Sequence, residues 1–204
     1  MAWATLNSQF TQKFFHTMTK LRRKIIGASA TWEQRFSKLF QSAIEKYQEG
    51  HQKADSLVDE KGRKFLASIG HTEQEFFDFV EDFAKAGEPT LETALKIASV
   101  RRDYFLKEQN GAPSPHRISM DDLPAKDAEI EGIAWLPRLI PKAEAKLRGE
   151  MPPDLMYGCG GDRKFFQTHH VDAADFLRKA WDAHGNQAEI IAWVKAKLEG
   201  QTPS

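Results

Sequence analysis

From Trp32 onward the apolar positions recur at helical spacing. Trp32, Phe36, Leu39, Phe40, Ala43 and Tyr47 form one stripe with steps of three or four, which predicts a helix that ends at Gly50. A short helix is expected over about Gly62 to Ser68. Thr72 and Glu75 have the spacing of a capping box, ahead of a helix carrying Phe76, Phe77, Phe79, Val80 and Phe83 and stopping near Gly87. Pro89 and Thr90 open the next, with Leu91, Leu95 and Ala98 leading toward Phe105. Helical patterns return at 136–147, 162–168, 173–183 and 187–198, and no stretch alternates with the period of a strand. The pattern predicts an all-α fold.

Two other segments read differently. Trp3, Leu6, Phe10, Phe14, Met18, Leu21 and Ile25 make a continuous stripe over 3–26, an N-terminal amphipathic helix followed by a hinge at Gly27 to Ala30. Between Lys107 and Gly132 the breakers Asn110, Gly111, Pro113, Pro115 and Pro124, with acids from Asp121 to Glu131, describe a long ordered crossing or an acidic linker.

Sliding the chain on itself exposes a repeat at an offset of 100 residues. Leu39, Ala43 and Lys46 recur as Leu139, Ala143 and Lys146; Arg63, Lys64 and Phe65 as Arg163, Lys164 and Phe165; Phe76 and Asp82 as Phe176 and Asp182. A shared helical period accounts for apolar coincidences, but not for Arg-Lys-Phe against Arg-Lys-Phe without a gap. The expected organisation is a leader at 1–30, a helical repeat at 31–106, a linker at 107–132, a second repeat at 133–199 and a tail at 200–204. Each copy is small for a core of its own, so two tandem, pseudo-symmetric repeats packed together are expected.

Charge sharpens this division. The 29 basic and 29 acidic residues balance over the 204-residue chain, yet no acid precedes Glu33, while Lys13, Lys20, Arg22, Arg23 and Lys24 do. The basic leader therefore admits three readings: a packed first helix, a removable targeting peptide, or an arm making peripheral contact with membrane or nucleic acid. No apolar run reaches the roughly 18 residues that a membrane span needs, which argues against integral insertion. One cysteine, Cys159, cannot form an internal disulfide and fits a reducing, cytoplasmic setting.

Chemistry is most plausible at Pro152 to Arg163. Three glycines surround Cys159, and Asp162 is placed to cap the next helix, which describes a tight turn whose backbone N–H groups can point at an anion or a thiolate. Arg163 and Lys164 favour a reactive thiol and Asp162 opposes it; the alternative is a structural turn with Cys159 as a small buried hydrophobe. The candidate catalytic residues are Cys159 and Asp162, and the candidate ligand contacts are Tyr157, Cys159, Gly160, Gly161, Arg163, Arg138 and Lys142. Arg138, Lys142 and Lys146 step by four along one helix face, either an anion-binding stripe or a solvated face paired with Glu144 and Glu150. Cys159, Asp162, His169 and His170 match no standard metal spacing, no acid–base pair stands out, and no cofactor or metal is expected.

Leu136-Pro137-Arg138 with Lys142-Ala143 and Lys146, then Gly149, Tyr157, Cys159 and Asp162, then Asp172-x-x-Asp175-Phe176 and Ile191-Ala192-Trp193-Val194, resemble the bacterial domain of unknown function 5069 family over roughly 133–198. The first 106 residues look like the extra, diverged copy of longer two-part members. The resemblance implies a small helical domain of bacterial, cytoplasmic origin and brings no established activity, cofactor or catalytic residue. Gly158-Cys159-Gly160-Gly161 departs from the more proline-rich turn that the family places after Tyr157. The expected function is a non-catalytic module that binds a protein partner or a small, anionic ligand; the alternative is a thiol-dependent enzyme or redox sensor using Cys159.

Overall fold

Nine α-helices carry almost all the regular structure of residues 30–200, which the computed structural model describes. The chain divides into two compact units, Met1–Arg35 and Phe36–Ser204, and the account that follows concerns the second. The stripe over 3–26, its three readings and the 27–29 hinge lie outside the described residues, as does 201–204. No helix of the described residues is long and apolar enough to cross a membrane.

In chain order the helices are α1 (Trp32–Gln48), α2 (Ala54–Leu57), α3 (Glu60–Ser68), α4 (Glu73–Ala86), α5 (Leu91–Lys107), α6 (Leu136–Arg148), α7 (Gly160–Thr168), α8 (Ala173–Asp182) and α9 (Gln187–Glu199). Their ends follow the local chemistry. Thr72 and Glu75 form the reciprocal capping box of α4, Gly87 closes it in the left-handed conformation, and Thr90 caps α5 through the Thr93 N–H. The buried faces are the stripes read from spacing: Phe36, Phe40 and Ala43 of α1, Phe76, Phe79 and Val80 of α4, Leu136, Leu139 and Ala143 of α6, and Phe176 and Leu177 of α8. Rings of α1 and α4 meet edge to face, Phe36 and Phe76 at 5.5 Å. Helix α5 packs on α6 and α8, and α6 packs on α8 and α9.

The 107–132 stretch is a crossing held to the fold. Ile118 N–H donates to the Glu150 carbonyl at 2.9 Å, Ser114 Oγ donates to the Glu150 carboxylate at 2.7 Å, and Leu123 is buried. It ends in a hairpin that period analysis missed: β1 (Glu129–Ile130) pairs antiparallel with β2 (Ile133–Ala134), Ile130 opposite Ile133. Glu131 (φ 52°) and Gly132 (φ 79°) both adopt left-handed conformations, as a two-residue hairpin turn requires. Strands of two residues are too short to show a period.

Helix bounds repeat at the offset seen in the sequence. Helices α3 and α7 span nine residues each, 60–68 and 160–168, and α4 and α8 begin at 73 and 173. The Arg63 guanidinium donates to the Val58 carbonyl at 3.2 Å, and that of Arg163 to the Gly158 carbonyl at 2.8 Å. The turns after α3 and α7 match as well, His71 N–H reaching Leu66 O and Val171 N–H reaching Phe166 O.

Candidate functional site

The chain enters α6 through Trp135, whose left-handed backbone (φ 70°) sits at the helix start with Pro137 in the first turn. From there Arg138, Lys142 and Lys146 run along one face, and that face is buried: the three residues are 8%, 1% and 2% exposed. The solvated-face reading fails because each cation has found a buried or partly buried partner elsewhere in the fold. Arg138 donates to the Pro124 carbonyl at 2.7 Å, Lys142 pairs with Asp162 at 2.6 Å, and Lys146 pairs with Glu75 at 2.8 Å. Glu144 and Glu150 instead face Arg148.

Asp162 is the hub beneath the glycine turn. Its carboxylate accepts from the Trp135 indole N–H at 2.9 Å, the Lys142 ammonium at 2.6 Å and the Gly158 N–H at 2.8 Å, and the residue is fully buried. It does not cap α7 as its spacing predicts. Cys159 is the N-cap residue, with no side-chain cap bond, and Asp162 lies in the helix's first turn with its carboxylate turned inward. Two of the glycines have specific reasons to be there. Gly158 (φ 86°) holds a conformation that side chains disfavour, and any Cβ on Gly161 would collide with the Trp135 ring. Gly160 has neither constraint, its nearest neighbour being Arg163 at 3.9 Å.

Cys159 is half-buried, and its Sγ accepts from Lys142 Nζ at 3.4 Å. It lies on the wall of a cleft of about 560 Å³ between α4 on one side and α6 with the start of α7 on the other. Arg138, Lys142, Gly160, Gly161 and Arg163 line the same cleft, so six of the predicted site residues converge there. Tyr157 and Asp162 do not line it. The Tyr157 hydroxyl donates to the Ala173 carbonyl at 2.7 Å inside the core, and burial, reinforced by the Asp162 and Asp172 carboxylates, pushes its ionisation well above the ordinary range. Asp162 orients Lys142 and cannot touch a ligand.

The opposite wall was not foreseen. Asp78, Glu81 and Asp82 of α4 line the cleft, and nothing in the spacing of an amphipathic helix marks them. Asp82 pairs with Arg163 at 2.6 Å and Glu81 with Lys85 at 2.8 Å. Burial pushes the Asp78 carboxyl up to about 6, against the hydrogen bond it accepts from Gln74 at 2.7 Å. The repeat could have pointed here, since Arg163 and Asp82 are each members of an offset-100 pair.

Other cavities carry less chemistry. One of about 400 Å³ lies between Glu88-Pro89 and α7, and one of about 240 Å³ lies beside Trp181. Among the described residues no three His, Cys, Asp or Glu side chains converge to hold a metal. The His169 ring stacks on Phe165 at 4.1 Å, and its Nδ1 lies 2.9 Å from that residue's carbonyl.

Fold and cleft define a small all-α protein with a polar cleft built beside a buried lysine–aspartate pair. Residues 121–204 match the family described as Domain of unknown function (DUF5069), so the part of the chain that carries α6 to α9 and the Cys159 turn is similar to that family. No curated protein and no solved structure matches the chain.

Proposed function

We propose that this protein is a small-ligand-binding module whose site is the cleft between α4 and the α6–α7 junction. The observation that carries this reading is Lys142. A lysine that is 1% exposed is costly to bury, yet this one lines the cleft, braced by Asp162 and touching the Cys159 sulfur. Acids on one wall and cations on the other suit a small polar molecule. The supporting experiment is a thermal-shift screen of small polar metabolites, anionic, cationic and neutral. Compounds that raise Tm in the wild type should fail to do so in Gly160→Phe, which fills the cleft at a position with room for a side chain. No active compound, or equal shifts in both proteins, would remove the reading.

A second reading is favoured by the 3.4 Å contact between Lys142 and the thiol: Cys159 as a nucleophile or redox-responsive group. Its measure is alkylation by iodoacetamide at pH 6. A Cys159 no faster than free cysteine rules it out.

The chain further reads as two related helical units, of which only the second carries the Cys159 turn. The recurring helix bounds and matched arginine–carbonyl bonds support this. Asp59, Gly62 and Ser42 stand where the second unit has Cys159, Asp162 and Lys142, so the thiol and the lysine–aspartate pair occur in one half, while the first half supplies the acid wall of α4.

A further inference from the structure

We infer that the cleft binds a small zwitterion of the amino-acid kind, its carboxylate on Arg138 and its ammonium on Asp78; the inference rests on the cleft being the binding site. Among the described residues, the buried and partly buried charges of its two walls are answered by opposite charges, with one exception on each wall. On α6, Lys142 faces Asp162 and Lys146 faces Glu75. On α4, Glu81 holds Lys85 and Asp82 holds Arg163. Arg138 and Asp78 are the exceptions. Arg138 is 8% exposed and lines the cleft, yet its partner is neutral, the Pro124 carbonyl at 2.7 Å. The rest of its five-donor fork has no acceptor among the described residues.

Asp78 is the mirror case on the facing wall. Its partner is also neutral, the Gln74 amide at 2.7 Å, and burial holds its carboxyl up at about 6. Lys146 pulls the other way but is itself bound to Glu75. Neutral partners supply hydrogen bonds and leave the charge uncompensated, and a buried charge without its opposite is costly. Lys126 and Asp154 also border the cleft, but they are exposed and water answers them. Arg138 and Asp78 do not pair with each other because the cleft lies between their helices. A ligand that spans it supplies what each lacks. The guanidinium fork grips a carboxylate through two parallel bonds, and the Asp78 carboxylate takes an ammonium. An anion alone leaves Asp78 unanswered, and an amine alone leaves Arg138 so. The volume of about 560 Å³ admits an amino acid with its side chain.

The test is calorimetric titration of the full chain at about pH 7.5, where Asp78 is ionised. The probes are L-alanine, L-leucine, β-alanine, γ-aminobutyrate and ε-aminocaproate, each beside its deaminated acid and its decarboxylated amine. The ω-amino acids vary the distance between the two charges. At least one zwitterion should bind saturably and about tenfold or more tighter than both its analogues, as the loss of one charge-assisted bond predicts. In Arg138→Gln that zwitterion should bind no better than its amine, and in Asp78→Asn no better than its acid. Asp78→Asn removes an unanswered buried charge, so without ligand it should melt at or above wild type, and it decides the matter if Arg138→Gln does not fold. Zwitterions that do not bind, analogues that bind as tightly, full selectivity in either variant, or a lower melt of Asp78→Asn would each overturn the inference. If other compounds from the screen shift wild type but not Gly160→Phe while every zwitterion is inert, the cleft reading stands and the zwitterion falls. If nothing binds, both fall.

Discussion

Lys142→Met should be among the most damaging single substitutions in the second half of the chain. At 2.6 Å the Lys142–Asp162 attraction is about 6 kcal/mol for an effective dielectric of about 20, before the cost of taking both charges out of water is subtracted. Removing the ammonium leaves a fully buried carboxylate with only the Trp135 and Gly158 donors, which costs about 3–5 kcal/mol, as for other broken buried pairs. Asp162→Asn strands the ammonium and should cost a similar amount. The double variant Lys142→Met/Asp162→Asn removes both charges, so its loss should fall short of the sum of the single losses by about 2 kcal/mol or more. Urea unfolding at pH 7 measures all three; Tm should fall by about 6–20 °C in each single variant for a chain of this size. Single losses below about 1 kcal/mol, or losses that simply add, would refute the view that this pair is one desolvated unit.

The glycines of the turn should respond in the order their surroundings dictate. Ala at Gly158 meets a left-handed backbone and costs about 1–2 kcal/mol, Ala at Gly161 costs more because its Cβ would strike Trp135, and Ala at Gly160 is near neutral. Equal urea midpoints for the three would contradict the assigned roles. His170 holds φ 52° where the first half has Gly70 at φ 76°, so His170→Gly should stabilise by up to about 1 kcal/mol, and a loss of stability would count against equivalent turns. Stability should also respond to acid through His71 and Glu75. Burial, with Lys146 nearby, lowers His71 from 6.5 to about 3. Burial alone would raise Glu75, but Lys146 and His71 bring it down to about 2. In both cases the unfolded chain takes up the proton first, so stability is lost as pH falls from about 6.5 toward 2. Asp78, raised to about 6, opposes this, because the native state protonates first between 6 and 3.8. His71→Gln should therefore flatten the acid loss, and Asp78→Asn should steepen it. Unchanged profiles of urea midpoint against pH in both variants would refute these assignments.

Local signals made the helices legible. The Thr72–Glu75 box, Gly87 and the stripes of α1, α4 and α6 act within a few residues, and their bounds emerge within a residue or two. The glycine turn was legible as a turn for the same reason. What spacing could not show is partnership across the chain. Lys142 and Lys146 look like a solvated face until Asp162 and Glu75, 20 and 71 residues away, are placed against them. The inward turn of Asp162 depends on Trp135, and the acid wall of α4 depends on how α4 meets α7; both are tertiary facts. The hairpin escaped because two-residue strands follow their turn rather than a pattern of their own.

The most direct test of the cleft as the site is an amide NMR titration of the full chain with a compound that raises Tm in the thermal-shift screen. The account predicts saturable shifts at the N–H groups of Gly160, Gly161 and Asp162 and at the Trp135 indole, which shares the Asp162 carboxylate with Lys142. Shifts that gather instead at Thr93, Gln167 and His170, around the 400 Å³ cavity on the other side of the turn, or that never saturate, would contradict it.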